Sequence, residues 1–308
     1  MRSRTASSSR PAPLSIVVAI YGPTASGKSA VAGILRERLD AEVVSADSAA
    51  LYAGIPILTA APDYPARLVG VVPLTDEISV GAYQRLAHTA IDEIVGAGRT
   101  AIVVGGTGLY LRAALSDLEL PPAPAPGERA RWEGIYDELG AEGAHALLAE
   151  RDPTAAARVH ANDRRRVVRA LELAAAGSSL APPADRLWGD DERRPTTMFG
   201  LETSSEERIR RRISDQLAAG VVEEARRAWA QPLSETARHV LGLEEFATLP
   251  VEQAAEAVVT ATRRLASYQR KWLRRLPSAV TLAGDKGLEE LADEILALAG
   301  TGQRLPRR

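Results

Sequence analysis

Y-G-P-T-A-S-G-K-S, running from Tyr21 to Ser29, decides the fold. It is a complete G-x-x-x-x-G-K-[ST] phosphate loop. The apolar run Leu14–Ile20 precedes it and reads as a buried strand, and a helical pattern follows from Ser29 to Leu39. Strand, glycine-rich loop and helix start together form a polyphosphate cradle, because successive backbone N–H groups and the helix N-terminus carry partial positive charge. Gly22, Pro23, Thr24, Ala25, Ser26, Gly27, Lys28 and Ser29 are the candidate phosphate-binding residues. Lys28 adds a full charge, and the Ser29 hydroxyl is placed to take one Mg²⁺ coordination position. The chain therefore handles a pyrophosphate or a triphosphate.

Working outward, two more segments rich in β-branched residues, Glu42–Ser45 and Thr100–Val104, read as strands, and the helical segment Ser79–Val95 lies between them. This βαβ pattern predicts an α/β fold: a P-loop NTPase-like parallel sheet with helices on its faces. Each strand ends in a polar or glycine-rich turn, G-P-T-A-S-G-K-S, then A-D-S, then G-G-T-G. Ligands bind at the carboxyl ends of strands in such sheets, so three strands deliver candidate residues to one edge. The composition changes at Leu120–Pro126, where four of seven residues are proline. Helical patterns over Gly127–Leu139, Gly143–Glu150 and Asp163–Ala175, then a loop-like stretch over Ala176–Arg194, predict a helical insertion. Thr197–Leu201 reads as a strand, and Ser204 with Glu207 three residues on as a capping box. Helices are predicted over Glu206–Ala219, Val221–Ala230 and Val251–Trp272, then a strand over Ser278–Leu282 and a helix over Gly287–Leu298. The domains expected are a catalytic core over 14–117 and 196–299, a helical insertion over 118–195, and disordered tails over 1–13 and 300–308.

The chain has 308 residues, enough for about two domains, and its formal net charge of −2 argues against indiscriminate nucleic-acid binding through bulk charge. It has no cysteine, so disulfides, thiolate nucleophiles and cysteine zinc sites are excluded. No apolar stretch reaches the roughly 18 residues of a membrane span. The first 13 residues are basic, serine-rich and free of acids, which reads as a disordered tail rather than a transit peptide.

Three groups of residues carry the chemistry. P-loop enzymes of ATP or GTP usually hold Mg²⁺ with an acidic residue at the end of an apolar strand. Here the strand Ala101–Val104 ends instead in Gly105-Gly106-Thr107-Gly108, which weakens the NTPase reading. Asp47, at the exit of the second strand, is the carboxylate to explain. It reads as a Mg²⁺ ligand, as the acceptor of a proton from an amine nucleophile, or as a plain turn aspartate. Thr107 reads as a ligand to Mg²⁺ or phosphate, or as a helix cap, and its glycine neighbours as room for a ligand beside the backbone. Arg165 and Arg169 lie four apart on one helix face, and Arg263, Arg264, Arg270, Lys271, Arg274 and Arg275 surround Tyr268 and Trp272. Cations mixed with aromatics suit a phosphate backbone with stacked bases, and solvated helix faces look the same.

With these residues assembled, the chain resembles the tRNA dimethylallyltransferase (isopentenyltransferase) family from about Ser15 to Pro277. The resemblance rests on G-P-T-A-S-G-K-S, V-V-S-A-D-S-A-A-L-Y, G-G-T-G-L-Y-L-R-A-A-L and H-A-N-D-R-R-R-V-V-R-A-L-E-L (His160–Leu173). It rests too on the segment from Ile209 through T-A-R-H-V-L-G, and on A-T-R-R-L-A-S-Y-Q-R-K-W-L-R-R. It implies transfer of a dimethylallyl group from dimethylallyl diphosphate to N6 of an adenosine beside the anticodon of tRNA, with Mg²⁺, by a monomer working in the cytoplasm. The loop then holds a leaving pyrophosphate, which accounts for the missing NTPase carboxylate. By resemblance Asp47, Thr107 and Arg238 are catalytic: Asp47 takes the proton of the exocyclic amine, and Arg238 helps neutralise the pyrophosphate. Thr24 lines the same pocket and Ser29 holds the metal. Asp47, Ser48, Ala49, Ala50, Thr107, Arg129, Arg165, Arg166 and Arg169 approach the tRNA, and the insertion grips the anticodon stem.

The chain departs from the family pattern at Ala50, where a Gln is usual, and at Ala61, where a Lys is usual. Arg67–Val71 lacks two histidines, and Leu243-Glu244 replaces Tyr-Arg. These losses sit on the nucleotide-recognition side and mark a divergent member. The competing readings are an isopentenyltransferase of free adenine nucleotide, a P-loop kinase, and a non-catalytic tRNA-binding relic.

Overall fold

The computed structural model describes residues 17–300, apart from 122–124, 126, 181–185, 190, 204, 277–278 and 284–285. The expected tail over 1–13, that over 300–308 apart from Gly300, the strand positions before Val17, the cap at Ser204 and the strand start at Ser278 lie outside the described residues; Gly300 is the last residue of a helix. Its contacts divide it into two units, Met1–Asp117 with Asp190–Arg308, and Leu118–Gly189.

The larger unit is built on a parallel sheet. Strand β1 (Val17–Tyr21) leads through the phosphate loop into helix α1 (Lys28–Arg38), and β2 (Ala41–Ser45) follows. A short helix α2 (Pro56–Thr59) and the two-residue strand β3 (Ala66–Arg67) come next, neither foreseen from periodicity because each spans about one period and so shows no repeat. Helix α3 (Val80–Gly96), strand β4 (Thr100–Gly105) and helix α4 (Gly108–Leu115) close the first half. The helical unit then holds α5 (Glu128–Arg151), α6 (Pro153–Ala156) and α7 (Arg164–Ala175). After it come β5 (Thr196–Leu201), α8 (Glu206–Ala218), α9 (Val221–Trp229), α10 (Glu235–Arg238), α11 (Leu243–Thr248), α12 (Val251–Leu273), β6 (Ala279–Leu282) and α13 (Leu288–Gly300).

The strand order is β3-β2-β4-β1-β5-β6 with every pairing parallel. Strand β1 is fully buried and sits between β4 and β5, which is why its sequence is an unbroken apolar run rather than an alternating one. Its alternate residues face opposite ways. Val18 and Ile20 join a core with Val31 and Leu35 of α1 and Leu291 and Ile295 of α13. Tyr21 belongs to the other face, where its hydroxyl donates to the Gln269 carbonyl of α12 at 3.2 Å. Buried Lys28, Val31, Ala32 and Leu35 recur at helical spacing along α1, so one stripe faces the sheet. Ser79 caps α3, accepting from Ala82 N at 3.1 Å. The cap of α8 is Ser205, one residue later than the capping-box pattern suggests, and it accepts from Arg208 N at 3.2 Å.

In the helical unit α5 is two helical stretches that meet at a kink: Gly140 (φ 68°, ψ 174°) is non-helical and falls between the two predicted helices, Gly127–Leu139 and Gly143–Glu150. Glycine adopts that backbone at no steric cost, so the chain breaks its helix there. Trp132, Tyr136 and Leu148 of α5 pack with Val167, Val168 and Leu171 of α7 into a separate core. Asp163 caps α7 through Arg166 N at 3.2 Å.

The glycines of G-G-T-G are packing positions. A Cβ at Gly105 would lie 2.1 Å from the Ala46 carbonyl oxygen, at Gly106 2.4 Å from Gln269 Nε2, and at Gly108 2.2 Å from the Trp272 ring. The reading of these glycines as room for a ligand is corrected: the space is filled by the β2 exit and by α12. Gly105→Ala should therefore cost about 3 kcal/mol, the upper end of overpacking penalties, whereas Gly96→Ala, where a Cβ meets nothing within 4 Å, should leave stability near wild type. Urea unfolding of the two variants checks both.

Candidate active site

The loop after β1 is shaped by two left-handed residues, Ala25 (φ 61°) and Gly27 (φ 89°). Gly22 is forced by crowding, since a Cβ there would stand 2.7 Å from Ser26 Oγ and 2.9 Å from the Leu201 carbonyl. Ser26 Oγ is buried with no hydrogen-bond partner, an unsatisfied polar atom inside the cradle. Lys28 is buried and donates to the Pro23 carbonyl at 3.3 Å. Burial pulls its pKa down to about 8; the Asp47 carboxylate opposes that shift and the Arg212 guanidinium adds to it.

Arg212 of α8 completes the cluster. Its Nη1 donates to Thr24 Oγ1 at 2.9 Å and its Nη2 to the Thr59 carbonyl at 3.3 Å. Burial depresses its pKa, and Asp47 again opposes the shift. Thr24, Lys28, Asp47 and Arg212 line one pocket. Two cations against one carboxylate leave the pocket positive and short of an anion. Sequence reading missed Arg212 among the arginines of R-I-R-R-R. The signal was present: Ile209, Arg212, Ile213 and Gln216 stand at i, i+3, i+4 and i+7 on one helix stripe, and an arginine on an inward stripe needs a partner.

The structure brings Asp47, Ser48 and Thr107 together at the strand exits. Asp47 Oδ1 accepts from Ala49 N at 3.0 Å. Ser48 N and Ser48 Oγ each lie 3.3 Å from Thr107 Oγ1, joining the β2 exit to the β4 exit. Ala49 lines the pocket, while Ala50 is buried and its carbonyl accepts from Gly70 N at 2.8 Å. Tyr83 steadies the strand end by donating to the Ser45 carbonyl at 2.9 Å, and its ring lies tilted against Tyr110 with centroids 4.5 Å apart.

Gln269 holds the two halves of the cradle at a fixed spacing. Its buried side chain accepts from Thr24 N at 2.8 Å and donates to the Gly106 carbonyl at 2.9 Å. Ile209, Ile213, Val240, Leu241, Val258 and Leu265 give the pocket an apolar wall. Gln216 and Glu224 shape its floor: Gln216 donates to the Ile57 and Leu58 carbonyls, both at 2.8 Å, and Glu224 accepts from the Ile57 and Leu58 amides at 3.0 and 2.7 Å.

Arg238 is not brought to this cluster. It is exposed, its guanidinium stands 5.4 Å over the Trp229 ring, and its neighbours Val240 and Leu241 line the pocket in its place. The half-buried guanidinium of the site is Arg212. In the helical unit, Arg129 and Arg169 both bind the buried Glu172 carboxylate, with Arg129 Nη2 at 3.2 Å and Arg169 Nη1 at 2.9 Å. Arg165 and Arg166 are exposed and make no ion pair among the described residues. No group of three His, Cys, Asp or Glu side chains able to cage a metal occurs among the described residues.

Comparison with known proteins bears on this geometry. A family model described as IPP transferase matches residues 50–276. The tRNA dimethylallyltransferase of Streptomyces avermitilis is 40% identical over 294 residues, covering 90% of this chain and 93% of its own. That of Kineococcus radiotolerans is 38% identical over 307 residues, covering 92% and 96%. Among solved structures, the full-length tRNA isopentenylpyrophosphate transferase of Bacillus halodurans superposes with a TM-score of 0.66 at 28% identity, covering 94% of this chain and 96% of that one. A eukaryotic dimethylallyltransferase, captured in crystallographic snapshots acting on tRNA, shares the fold with a TM-score of 0.71 at 22% identity, covering 92% and 78%. With its phosphate loop, its positive pocket and these relatives along nearly its whole length, the chain belongs to the tRNA dimethylallyltransferase family of IPP transferases.

Proposed function

We propose that the chain transfers a dimethylallyl group from dimethylallyl diphosphate to N6 of the adenosine beside the anticodon of tRNA, and releases pyrophosphate. The observation that carries this reading is the pocket in which Lys28 and Arg212 face the single carboxylate Asp47. In the reaction the allylic C–O bond breaks and its electron pair leaves on the diphosphate. An N6–C bond forms, and N6 gives up a proton. Each charge has a partner in the pocket. Lys28, Arg212 and the loop amides stabilise the departing diphosphate, and Asp47 receives the proton. The apolar wall from α8 and α12 takes the prenyl tail and excludes water from the allylic carbon. Ser48, Ala49 and Thr107 lie on the nucleotide side.

The donor set fits a Mg²⁺ held mostly by substrate oxygens. Mg²⁺ binds through one or two protein ligands plus phosphate and water; the half-buried Ser29 hydroxyl has no partner among the described residues, and no caging carboxylate cluster competes there. Bound there, the ion would supply further positive charge to the leaving group. On the helical unit, Arg165 and Arg166 are free to meet anticodon-stem phosphates, while Arg129 and Arg169 meet them as guanidiniums already ordered by Glu172. No helix of the described residues is long and apolar enough to cross a membrane; a cytoplasmic location suits a tRNA substrate, and a monomer is what the family resemblance implies.

Incubation with dimethylallyl diphosphate, Mg²⁺ and unmodified tRNA, followed by nucleoside mass analysis, should show N6-dimethylallyladenosine. Turnover of AMP without tRNA, or ATP-dependent phosphoryl transfer, would overturn the reading. Asp47→Asn should lower kcat by roughly 10²–10⁴, the usual share of a proton acceptor, with little change in KM for the diphosphate. Arg212→Gln should lower kcat/KM for dimethylallyl diphosphate by about 10²–10³, as loss of one electrostatic donor does, while Arg238→Ala stays close to wild type. Steady-state kinetics with each substrate varied in turn separates the three.

Lys28 must be charged to bind the diphosphate, and in the free enzyme it loses its proton as pH rises through about 8. Since kcat/KM reports ionisations of the free enzyme, kcat/KM for the diphosphate should fall in the alkaline arm of a profile run from about pH 7 to about pH 10. In the loaded enzyme the bound anion favours the ammonium form, so kcat should hold to higher pH.

A further inference from the structure

The apolar side of the pocket ends in a wall with nowhere to give. Leu265 stands at its exposed edge, 37% open to solvent, while Leu58 and Val258 line its depth at 5% and 3%. Behind those two side chains the space is filled. A Cβ placed on Gly242, at the start of α11, would lie 3.1 Å from Leu58 Cδ1 and 3.4 Å from Val258 Cγ2, and Phe246, one turn further along, is fully buried. The cavity they close is small, about 90 Å³. An apolar cavity of about 150 Å³ takes up one benzene molecule. A second isoprene unit therefore has no room here unless a wall moves.

Leu58 is fixed by more than packing. Helix α2, which carries it, has four residues, too few to be stable alone. Two buried polar side chains hold it. Glu224 accepts from the amides of Ile57 and Leu58, and Gln216 donates to their carbonyls, so all four backbone groups of the two residues are occupied. The next residue, Thr59, accepts from Arg212 Nη2 at 3.3 Å through its carbonyl. One helical turn thus ties the apolar end of the pocket to the guanidinium of its charged end. Keeping a leucine inside needs no such ties, because burial alone is favourable. What they set is the distance from the anion to the wall.

We propose that Leu58 and Val258 form an end stop that admits one isoprene unit and rejects two, with α2 as the fixed span between the stop and the diphosphate. The enzyme therefore selects dimethylallyl over geranyl diphosphate by chain length, at the wall rather than at the charged groups, which the two donors engage alike. The inference rests on the transferase reading above and adds to it the residues that choose the donor.

The test uses the full chain with dimethylallyl and geranyl diphosphate, Mg²⁺ and an anticodon stem-loop RNA in steady-state kinetics, and calorimetric titration with each diphosphate in the absence of RNA. One methylene in a tight apolar pocket is worth about 10–200-fold, so wild type should favour the shorter donor in kcat/KM by at least about 10²-fold. Leu58→Ala and Val258→Ala should each shift that ratio toward geranyl diphosphate by about tenfold or more. A merely structural loss would lower both rates together and leave the ratio in place. Val258→Ala removes less of the core and serves if Leu58→Ala does not fold. Equal use of the two donors by wild type, which needs no variant, would overturn the end stop. So would an unchanged ratio in the alanine variants, with a wild type that prenylates the RNA. A wild type that binds dimethylallyl but not geranyl diphosphate in the titration, and prenylates no RNA, would instead remove the transferase reading and leave the stop standing.

Discussion

A buried lysine and a half-buried arginine set against one carboxylate are the constraint on which the rest of this structure depends. A lysine ammonium brought from its ordinary value of 10.5 to about 8 represents a penalty of about 3 kcal/mol on its charged form. That penalty is in force below about pH 8, where the group carries its proton. Arg212 is half-buried beside it and cannot lose its charge at all. A protein with a net stability of about 5–15 kcal/mol does not keep such a pair idle. The arrangement is poised for an anion, and the loop amides and the orphan Ser26 hydroxyl point to the same occupant.

Holding the pair in place falls to neutral amides and one buried acid around it. Gln269 fixes the distance between the phosphate loop and the Gly106 turn. Gln216 and Glu224 pin the backbone at Ile57 and Leu58, and Thr59 beside them accepts from Arg212. The glycines at 105, 106 and 108 let Ala46, Gln269 and Trp272 approach that closely. Helix α12 is central to this: it is at once a wall of the pocket and the latch on its loops.

The parts of this design legible in the sequence are those with a local period or a fixed spacing. The phosphate loop, β1, β2, β4 and the long helices follow from motif and periodicity, because each is dictated by its own residues. The short elements α2, β3, α10 and α11 are not legible, since their geometry is imposed by tertiary partners such as Glu224 under α2. Asp47 and Thr107 can be placed from strand ends. Arg212 can be placed only by asking why an arginine falls on the inward stripe of an amphipathic helix. Arg238 follows from a motif, and motifs carry no information about which way an exposed guanidinium turns.

The departures from the family pattern take on a physical meaning once their surroundings are known. Ala50 is buried, and its carbonyl ties the segment around Gly70 to the β2 exit. Arg67 is bound by Glu42, at 2.7 Å, and by Glu93, so its charge is consumed inside the fold. Leu243 is fully buried at the start of α11, and Glu244 lies beside it in the first turn of that helix, where a negative charge suits the dipole. Each of these replacements is met by its own surroundings, through burial, an ion pair or a helix end. The segments have been repacked, while every residue of the positive pocket keeps the chemistry a leaving diphosphate needs. The altered positions lie where a neutral or inverted charge is absorbed by local packing. Lys28 and Arg212 instead hold charges whose cost is justified by the anion they meet.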